Sequence, residues 1–131
     1  MASRREARRL ALDVLYQADV SDLRPSEVLE QREAVGEPVA GFGRELVLGV
    51  EARLSEIDAL LGEYARDWTV PRMAAVDRAA LRIACYELLF SEDVPTSVAI
   101  AEAVDAVKKL STDESGAFVN GILGEIARTK L

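Results

Sequence analysis

Apolar residues recur with a helical period along almost the whole of this chain. Between Phe42 and Tyr64, for example, they stand every three or four positions, which is the spacing of one face of an α-helix. No segment alternates between apolar and polar residues cleanly enough to predict a strand. The sequence therefore predicts an all-α fold.

Capping residues and prolines divide the first half of this pattern into helices. Ser3 is a suitable N-cap for a helix from about Arg4 to Val20, because its hydroxyl can accept a hydrogen bond from a free backbone N–H. Pro25 suits the first turn of a second helix that reaches about Val35. From Val39 to Arg66 the apolar pattern continues over glycines that weaken a helix without ending it, so it predicts one long third helix.

The second half of the chain divides in the same way. The predicted elements are a short turn from Pro71 to Ala75, an apolar helix that Asp77 caps and that ends near Ser91, a helix to about Leu110, and a last helix with Ser111 and Glu114 as its capping box. We expect about seven helices in two small bundles that the long helix joins. With 131 residues the chain is expected to form a single domain, residues 1–131, that buries a core.

The composition excludes several classes of protein. Half of the residues are hydrophobic and 30% are charged, which is typical of a soluble globular chain. No stretch is apolar enough to span a bilayer, and the N-terminus lacks the apolar segment of a secretion signal. We therefore expect a cytoplasmic protein that does not bind a membrane.

The chain contains no histidine and a single cysteine, Cys85. It therefore lacks the usual general base and the commonest metal ligand, and it cannot form a thiolate zinc site or an internal disulfide. No glycine-rich phosphate loop is present. We expect no enzymatic activity, no cofactor and no metal, and we interpret Cys85 as a small core residue.

Positive charge is concentrated at the N-terminus. Four arginines against Glu6 give residues 1–12 a net charge of +3, whereas the remaining 12 basic and 22 acidic residues give −10. The four are Arg4, Arg5, Arg8 and Arg9. A planar guanidinium fits phosphate oxygens, so this end of the chain is a candidate phosphate-binding surface. The alternative is a solvated terminus whose charge only aids solubility.

Helical spacing places these arginines on an ordered surface. Each residue turns by about 100°, so a core-facing stripe is formed by Ala7, Leu10, Ala11, Val14 and Ala18. A second, exposed stripe is formed by Arg5, Arg9, Leu12 and Tyr16, with Arg4 and Arg8 between the two. Arginines beside an exposed tyrosine suit single-stranded nucleic acid, whose phosphates bind arginine and whose bases stack on aromatic rings. The alternative for Tyr16 is a partly buried edge residue.

Four motifs, in order along the chain, resemble the NusB transcription antitermination family. They are Arg4-Arg5 with Ala7-Arg8, Ala11 and Leu15-Tyr16; the segment from Asp77 to Leu89; Asp93-Val94-Pro95 with the segment from Val98 to Val104; and the segment from Ser115 to Leu123. The resemblance covers nearly the whole chain and is weakest from Ser21 to Arg72. Three positions depart from the family pattern, which commonly has Asn, a basic residue and Asp where this chain has Ala101, Ala117 and Gly124.

The resemblance implies an all-helical RNA-binding factor without catalytic activity. Members of the family bind boxA-type RNA of ribosomal RNA operons together with the ribosomal protein NusE, and the complex suppresses premature termination by RNA polymerase, with other Nus factors as indirect partners. Carried over by motif, the implied RNA site comprises Arg4, Arg5, Arg8, Arg9, Tyr16, Asp77, Arg82, Glu114, Ser115 and Phe118. The acidic members can accept hydrogen bonds from base amino groups, which arginine cannot.

Several of these residues have a structural alternative. Asp77 and Glu114 stand where helix caps are expected. Phe118 is equally compatible with a place in the core, and Arg82 with a partly buried arginine bonded to backbone carbonyls. The arginine helix alone has a functional interpretation that outweighs its alternative.

The acidic remainder of the chain suits a basic partner, since opposite charge speeds encounter. Ribosomal proteins are generally basic, so we place the contact surface for NusE on the central and sixth helices, around Glu87, Glu92, Asp93 and Glu102. The family includes dimeric members, and a homodimer that covers the arginine face is a further alternative.

Two other functions stay open at this point. NusB-like domains also precede certain ribosomal RNA cytosine methyltransferases, although this chain carries no nucleotide-binding motif. In a protein-interaction scaffold, the arginines would instead form salt bridges with acidic helices, and such a scaffold would not bind RNA saturably.

Overall fold

The computed structural model describes residues 3–131 and contains seven α-helices and one 3₁₀ turn. In chain order these are α1 (Arg4–Val20), α2 (Pro25–Ala34), α3 (Gly41–Ala52), α4 (Leu54–Tyr64), the 3₁₀ turn (Val70–Arg72), α5 (Ala75–Phe90), α6 (Thr96–Leu110) and α7 (Asp113–Lys130). No strand occurs within residues 3–131. The all-α prediction and the expected number of helices are therefore confirmed.

The central helix of the fold is α5, which contacts α1, α3, α4, α6 and α7. One group of helices consists of α1, α2 and α3, which pack against one another, and a second contains α6 and α7. Both groups bury apolar residues against α5, so its buried residues occupy most of its circumference. The element that joins the two bundles is thus α5, and not the long third helix expected from the sequence.

One connected apolar core runs through the described residues. All seven helices contribute to it, with Val14, Leu46, Leu81 and Leu123 among its fully buried members. Cys85 belongs to this core, and burial raises the pKa of its thiol to about 12. Within residues 3–131 no helix is long and apolar enough to cross a membrane.

The helix predicted from Val39 to Arg66 is in fact two helices. The chain leaves helical geometry at Arg53, where φ is −112° and ψ is 16°. This break has a tertiary cause: α3 packs against α1 and α5, whereas α4 packs against α5 and α7. One straight helix would carry one of these two apolar faces away from its neighbours. The Arg53 guanidinium lies 4.7 Å from the centre of the Phe90 ring, which anchors the bend against the end of α5.

Gly49 permits the close approach of α3 to α5. A β-carbon at this position would lie 2.3 Å from carbon atoms of the Tyr86 ring, far inside contact distance. Any side chain at this position would therefore displace the Tyr86 ring, although in sequence Gly49 is only a weak point in a helix.

The cap of α1 agrees with the sequence, whereas that of α5 does not. Ser3 caps α1, since its hydroxyl oxygen accepts a hydrogen bond from the Glu6 N–H at 3.1 Å. Asp77 lies inside the first turn of α5 and caps nothing. Its buried carboxylate instead accepts a hydrogen bond from Ser115 Oγ at 2.8 Å, because α7 brings that hydroxyl against the start of α5.

The cap of α7 is also different from the prediction. Thr112 is the N-cap, and its hydroxyl oxygen accepts a hydrogen bond from the Ser115 N–H at 3.0 Å. The predicted capping box of Ser111 and Glu114 is therefore wrong by one position. Glu114 lies in the first turn with its side chain exposed, which leaves it available at the surface.

Candidate nucleic-acid interface

The first helix presents Arg4 and Arg5 at the protein surface. Their side chains are 47% and 58% exposed. Arg4 Nη2 lies 2.6 Å from Asp93 Oδ2, beyond the end of α5. Arg5 pairs with two residues of α6: its Nε lies 3.4 Å from Glu102 Oε2, and its Nη2 bonds Asp105. Both guanidinium groups are thus ordered, yet open to solvent.

Arg8 has a different environment, although it lies one turn from Arg4. Only 10% of its side chain and 1% of that of Glu87 are exposed, and the two form a bidentate pair with N–O distances of 2.8 and 2.9 Å. The hydrogen bond to Glu87 raises the pKa of Arg8, against burial, which lowers it. Breaking such a pair would leave a buried charge without compensation. Arg8 therefore joins α1 to α5, and its contact with RNA stays a prediction.

The predicted exposed stripe of Arg5, Arg9, Leu12 and Tyr16 is interrupted at one position. Arg9 is partly exposed and forms no ion pair with the residues that the structure describes. Tyr16 is 40% exposed. Leu12 is only 4% exposed, because it packs beside alanines of α5 and α6, so its predicted exposure is wrong. We call Arg4, Arg5 and Arg9 the arginine row.

The acidic residues predicted to bind a partner are largely those that hold the arginines. Glu87, Asp93 and Glu102 are the ion-pair partners described above, while Glu92 is exposed next to Asp93. We call Asp93, Glu102 and Asp105 the carboxylate row. The sequence analysis missed Asp105, although its spacing of three from Glu102 places both on one face of a helix. The arginine surface predicted for RNA and the acidic surface predicted for NusE are therefore one continuous surface.

Ion pairing lowers the pKa of two carboxylates, Asp93 and Asp105. The hydrogen bond from Arg4 lowers the pKa of Asp93. The pKa of Asp105 is lowered by its hydrogen bond with Lys109 and, less strongly, by that with Arg5. Both carboxylates are therefore ionised at neutral pH and compete with any anion for the same arginines.

A second group of predicted residues meets in a cleft between the start of α5 and the start of α7. The cleft is lined by Asp77, Glu114, Ser115 and Phe118, as the predicted site requires. These residues come from two helices, and the hydrogen bond between Ser115 and Asp77 joins them. The structure therefore brings together four of the residues that the family resemblance implied.

Trp68 and Arg72 complete the wall of this cleft, and the sequence analysis missed both. Trp68 follows α4 and is 48% exposed, with the Arg72 guanidinium 5.8 Å from the centre of its ring. One signal could have found it: the single tryptophan of the chain stands between Asp67 and Thr69, outside any apolar period. A large aromatic residue in a polar segment is enriched at binding surfaces.

Arg82 lies on another face of α5, away from both the cleft and the arginine row. It forms a bidentate pair with Asp58 of α4, with N–O distances of 2.9 and 2.8 Å. The residue bonded to backbone carbonyls is Arg78, one turn earlier, which donates to the carbonyls of Val70 and Met73 at 3.0 Å each. Arg82 thus fastens α5 to α4, and its contact with RNA stays a prediction.

Comparison with known sequences decides the family. A sequence profile described as the NusB family matches residues 5–128. The chain belongs to the NusB family. It is 47% identical to the transcription antitermination protein NusB of Symbiobacterium thermophilum, in an alignment that covers 96% of this chain and 90% of that protein. The cleft of this NusB-family chain and the arginine helix from Arg5 onward lie within the matched residues.

Solved structures of NusB proteins share this fold. NusB of T. maritima superposes with a TM-score of 0.84 at 35% sequence identity, covering 98% of this chain and 92% of that one. A chain in the crystal structure of antitermination factors NusB and NusE in complex with dsRNA superposes with a TM-score of 0.83 at 28% identity, covering 95% and 96%. The order and packing of the helices described above are therefore those of NusB proteins.

Proposed function

We propose that this NusB-family protein is a transcription antitermination factor. It binds single-stranded boxA-type RNA of ribosomal RNA operons together with the ribosomal protein NusE, and the complex acts on elongating RNA polymerase, with other Nus factors as indirect partners. It works without catalysis, in the cytoplasm, as one domain of residues 1–131. The observation that carries the proposal is the arginine row on the first helix of a NusB fold. The named relative and the NusB–NusE complex with RNA support it.

The proposed RNA path runs from the arginine row to the cleft. Because Arg8 pairs with Glu87 and Asp19 with Arg78, α1 and α5 are antiparallel. Tyr16 therefore lies on the way from the arginine row to the start of α5, where the cleft opens. On α5, Glu87 lies beside the arginine row and Asp77 lies in the cleft. These two residues are ten positions apart, which is a rise of about 15 Å along the helix. A short single strand can span this distance.

RNA binding requires the exposed ion pairs to exchange. Phosphate oxygens must replace the carboxylate row as partners of Arg4 and Arg5, and exposed pairs contribute only about 0–1 kcal/mol each. A basic protein that binds the carboxylate row frees these arginines for phosphate. We therefore expect NusE and RNA to bind cooperatively. As partner contacts we propose Glu92, Asp93 and Glu102, and not the buried Glu87.

Fluorescence anisotropy with labelled RNA tests this function. We would compare a boxA-type single strand, a scrambled strand and a duplex, each with and without purified NusE, at several salt concentrations. Preference for the boxA strand that increases with NusE is the expected result. Equal, weak and salt-sensitive binding to all three RNAs would contradict it and leave only a general affinity for phosphate.

Single substitutions locate the phosphate contacts. Arg5→Ala and Arg9→Ala should each weaken binding and lower the salt dependence of log K by about 0.7 per lost phosphate contact. Arg128→Ala is a matched control, because Arg128 is an exposed, ion-paired arginine near the end of α7. Tyr16→Ala should weaken binding by about 1–3 kcal/mol if a base stacks on its ring. Unchanged affinity would remove Tyr16 from the site.

A protein-interaction scaffold is the second candidate, and the ion pairs favour it. Arg4 and Arg5 do bond acidic residues from other parts of the fold, as a scaffold requires. The anisotropy titration separates the two functions. A scaffold shows no saturable binding to any RNA at any salt concentration, whereas the antitermination factor does.

A further inference from the structure

The loop of residues 65–74 joins α4 to α5 and carries one wall of the cleft, with Trp68 and Arg72 on it. Two of its side chains, Val70 and Met73, are buried in the core. Trp68, by contrast, is half exposed. The loop is therefore anchored through its second half, and the position of the wall depends on how that half is held.

Arg78 holds the backbone of this loop from the first turns of α5. Its Nη1 donates to the carbonyls of Val70 and Met73 at 3.0 Å each and to that of Pro71 at 3.3 Å. A helical side chain points toward the N-terminus of its helix, so an arginine at this position is directed at the preceding residues. A cation near the start of a helix is normally unfavourable. The loop carbonyls, and not the stability of α5, therefore explain an arginine here.

The same guanidinium group also binds α1. Its Nε lies 2.8 Å and its Nη2 lies 2.6 Å from Oδ2 of Asp19, which follows Tyr16 by three positions on α1. Only 12% of the Arg78 side chain and 25% of that of Asp19 are exposed. The five donors of a planar guanidinium can bridge two partners at once, whereas the single ammonium group of a lysine cannot. Arg78 thus ties the loop to the helix that carries the arginine row.

We propose that Arg78 is a positioning residue for RNA binding, which fixes the loop of residues 65–74 relative to α1. The inference rests on the proposed RNA-binding function, but Arg78 itself does not contact RNA. With the loop held in this way, α1 and the wall of the cleft form one rigid surface. RNA then does not have to order the loop when it binds, and preorganisation of this kind raises affinity.

Tryptophan fluorescence tests whether Arg78 holds the loop. Trp68 is the only tryptophan, so its emission reports on this loop. In Arg78→Met, quenching of the emission by acrylamide should increase while the helical circular dichroism stays unchanged, because the loop loosens and the helices do not. The matched control is Arg82→Met: Arg82 lies one turn later on α5, is 15% exposed and pairs with Asp58 of α4 instead of the loop. Equal quenching in the two variants would overturn the proposal. If Arg78→Met does not fold, Arg78→Gln provides the same comparison.

RNA binding separates a positioning role from direct contact. Arg78→Met should weaken the binding of boxA-type RNA about three- to tenfold, with an unchanged salt dependence of log K because no phosphate contact is lost. Arg128→Met, at an exposed arginine of α7, is the control for the loss of one positive charge.

Two results would overturn the positioning role. A salt dependence lowered by about 0.7 would mean that Arg78 itself binds a phosphate, and unchanged affinity would mean that the position of the loop does not matter for RNA. If the native protein binds no RNA, the proposed function fails, and the quenching comparison alone decides whether Arg78 holds the loop.

Discussion

Two ion-paired regions of the first helix differ in one property, their access to water. Arg8 and Glu87 are enclosed between α1 and α5, and both hydrogen bonds of their pair are shielded from solvent. Arg4 and Arg5 pair with the carboxylate row in the open. The same residue type, one turn apart, thus serves the fold at one position and is free to exchange partners at the other.

The difference shows why charge alone does not define a binding surface. An exposed pair is weakened by water and salt, so an incoming phosphate can replace the carboxylate at small cost. A buried pair has already lost its hydration, so removing one partner leaves the other charge stranded. Four neighbouring arginines that look alike in sequence therefore divide into three that are open to solvent and one that holds two helices together.

The largest expected effect is from removing the buried carboxylate. Glu87→Ala should lower the free energy of unfolding by about 3–5 kcal/mol, because Arg8 then remains buried without a partner. Urea denaturation measures the change, and modification of Cys85, which is buried and has a raised thiol pKa, reports opening of the core. The control is Glu102→Ala, in the exposed region. Similar midpoints for the two variants would abolish the distinction between the regions.

An intermediate effect is expected at Phe42, which both regions share. Its ring centre lies 4.4 Å from the Arg4 guanidinium and 5.4 Å from that of Arg8. Phe42→Leu should cost about 1–2 kcal/mol of stability, since it removes both cation–π contacts. Phe90→Leu removes the ring beneath Arg53 and serves as the control. RNA affinity is measured for both variants. If it changes in Phe90→Leu but not in Phe42→Leu, the Phe42 ring does not order the arginine row.

A smaller effect on stability, with a gain in binding, is expected in the exposed region. Asp93→Asn combined with Asp105→Asn should leave the free energy of unfolding nearly unchanged, because water and salt screen exposed ion pairs. The same double variant should bind boxA-type RNA more tightly at low salt, because Arg4 loses its competing anion and Arg5 loses one of its two. The gain should shrink as salt rises. Weaker RNA binding by the variant would mean that the carboxylates position the arginines instead of masking them.

The smallest expected effect is the pH dependence of the Arg4–Asp93 pair. The folded-state pKa of Asp93 is lowered, so its stabilising contribution is present above the unfolded-state pKa and is lost as pH falls through the folded-state pKa. Denaturation of the native protein and of Asp93→Asn at a series of pH values checks this. The stability difference between them should be constant near neutral pH and should decrease below about pH 4. A stability difference that grows as the pH falls would contradict the expected direction of the effect.

Much of the fold was predictable because its signals are local. The bounds of α1 follow from the Ser3 cap and the apolar period, and both act over a few residues. The break at Arg53 was not predictable in this way, since no proline or turn residue stands there and the cause is the packing of α3 and α4 on different neighbours. Asp77 was misread for the same reason: its partner, Ser115, comes from another helix.

The predicted site also combines features that are visible in the sequence with features that depend on how the helices pack. The concentration of arginines, the exposed Tyr16 and the family resemblance were present in the sequence. The sequence did not show that Arg8 is enclosed, that Leu12 is covered, or that Trp68 opens onto a cleft with Asp77 and Phe118. These facts depend on which faces α5, α6 and α7 present to one another.

By itself, then, the sequence determined the helical class, the family and the end of the molecule that carries positive charge, because period, caps and composition are properties of neighbouring residues. The tertiary structure alone decided which arginine is buried, which carboxylates pair with the exposed arginines and where an aromatic cleft forms. The ion pairs of Arg4, Arg5 and Arg8 join residues that are 79 to 100 positions apart in the sequence. Burial sets their strength, and burial is created only when the helices pack.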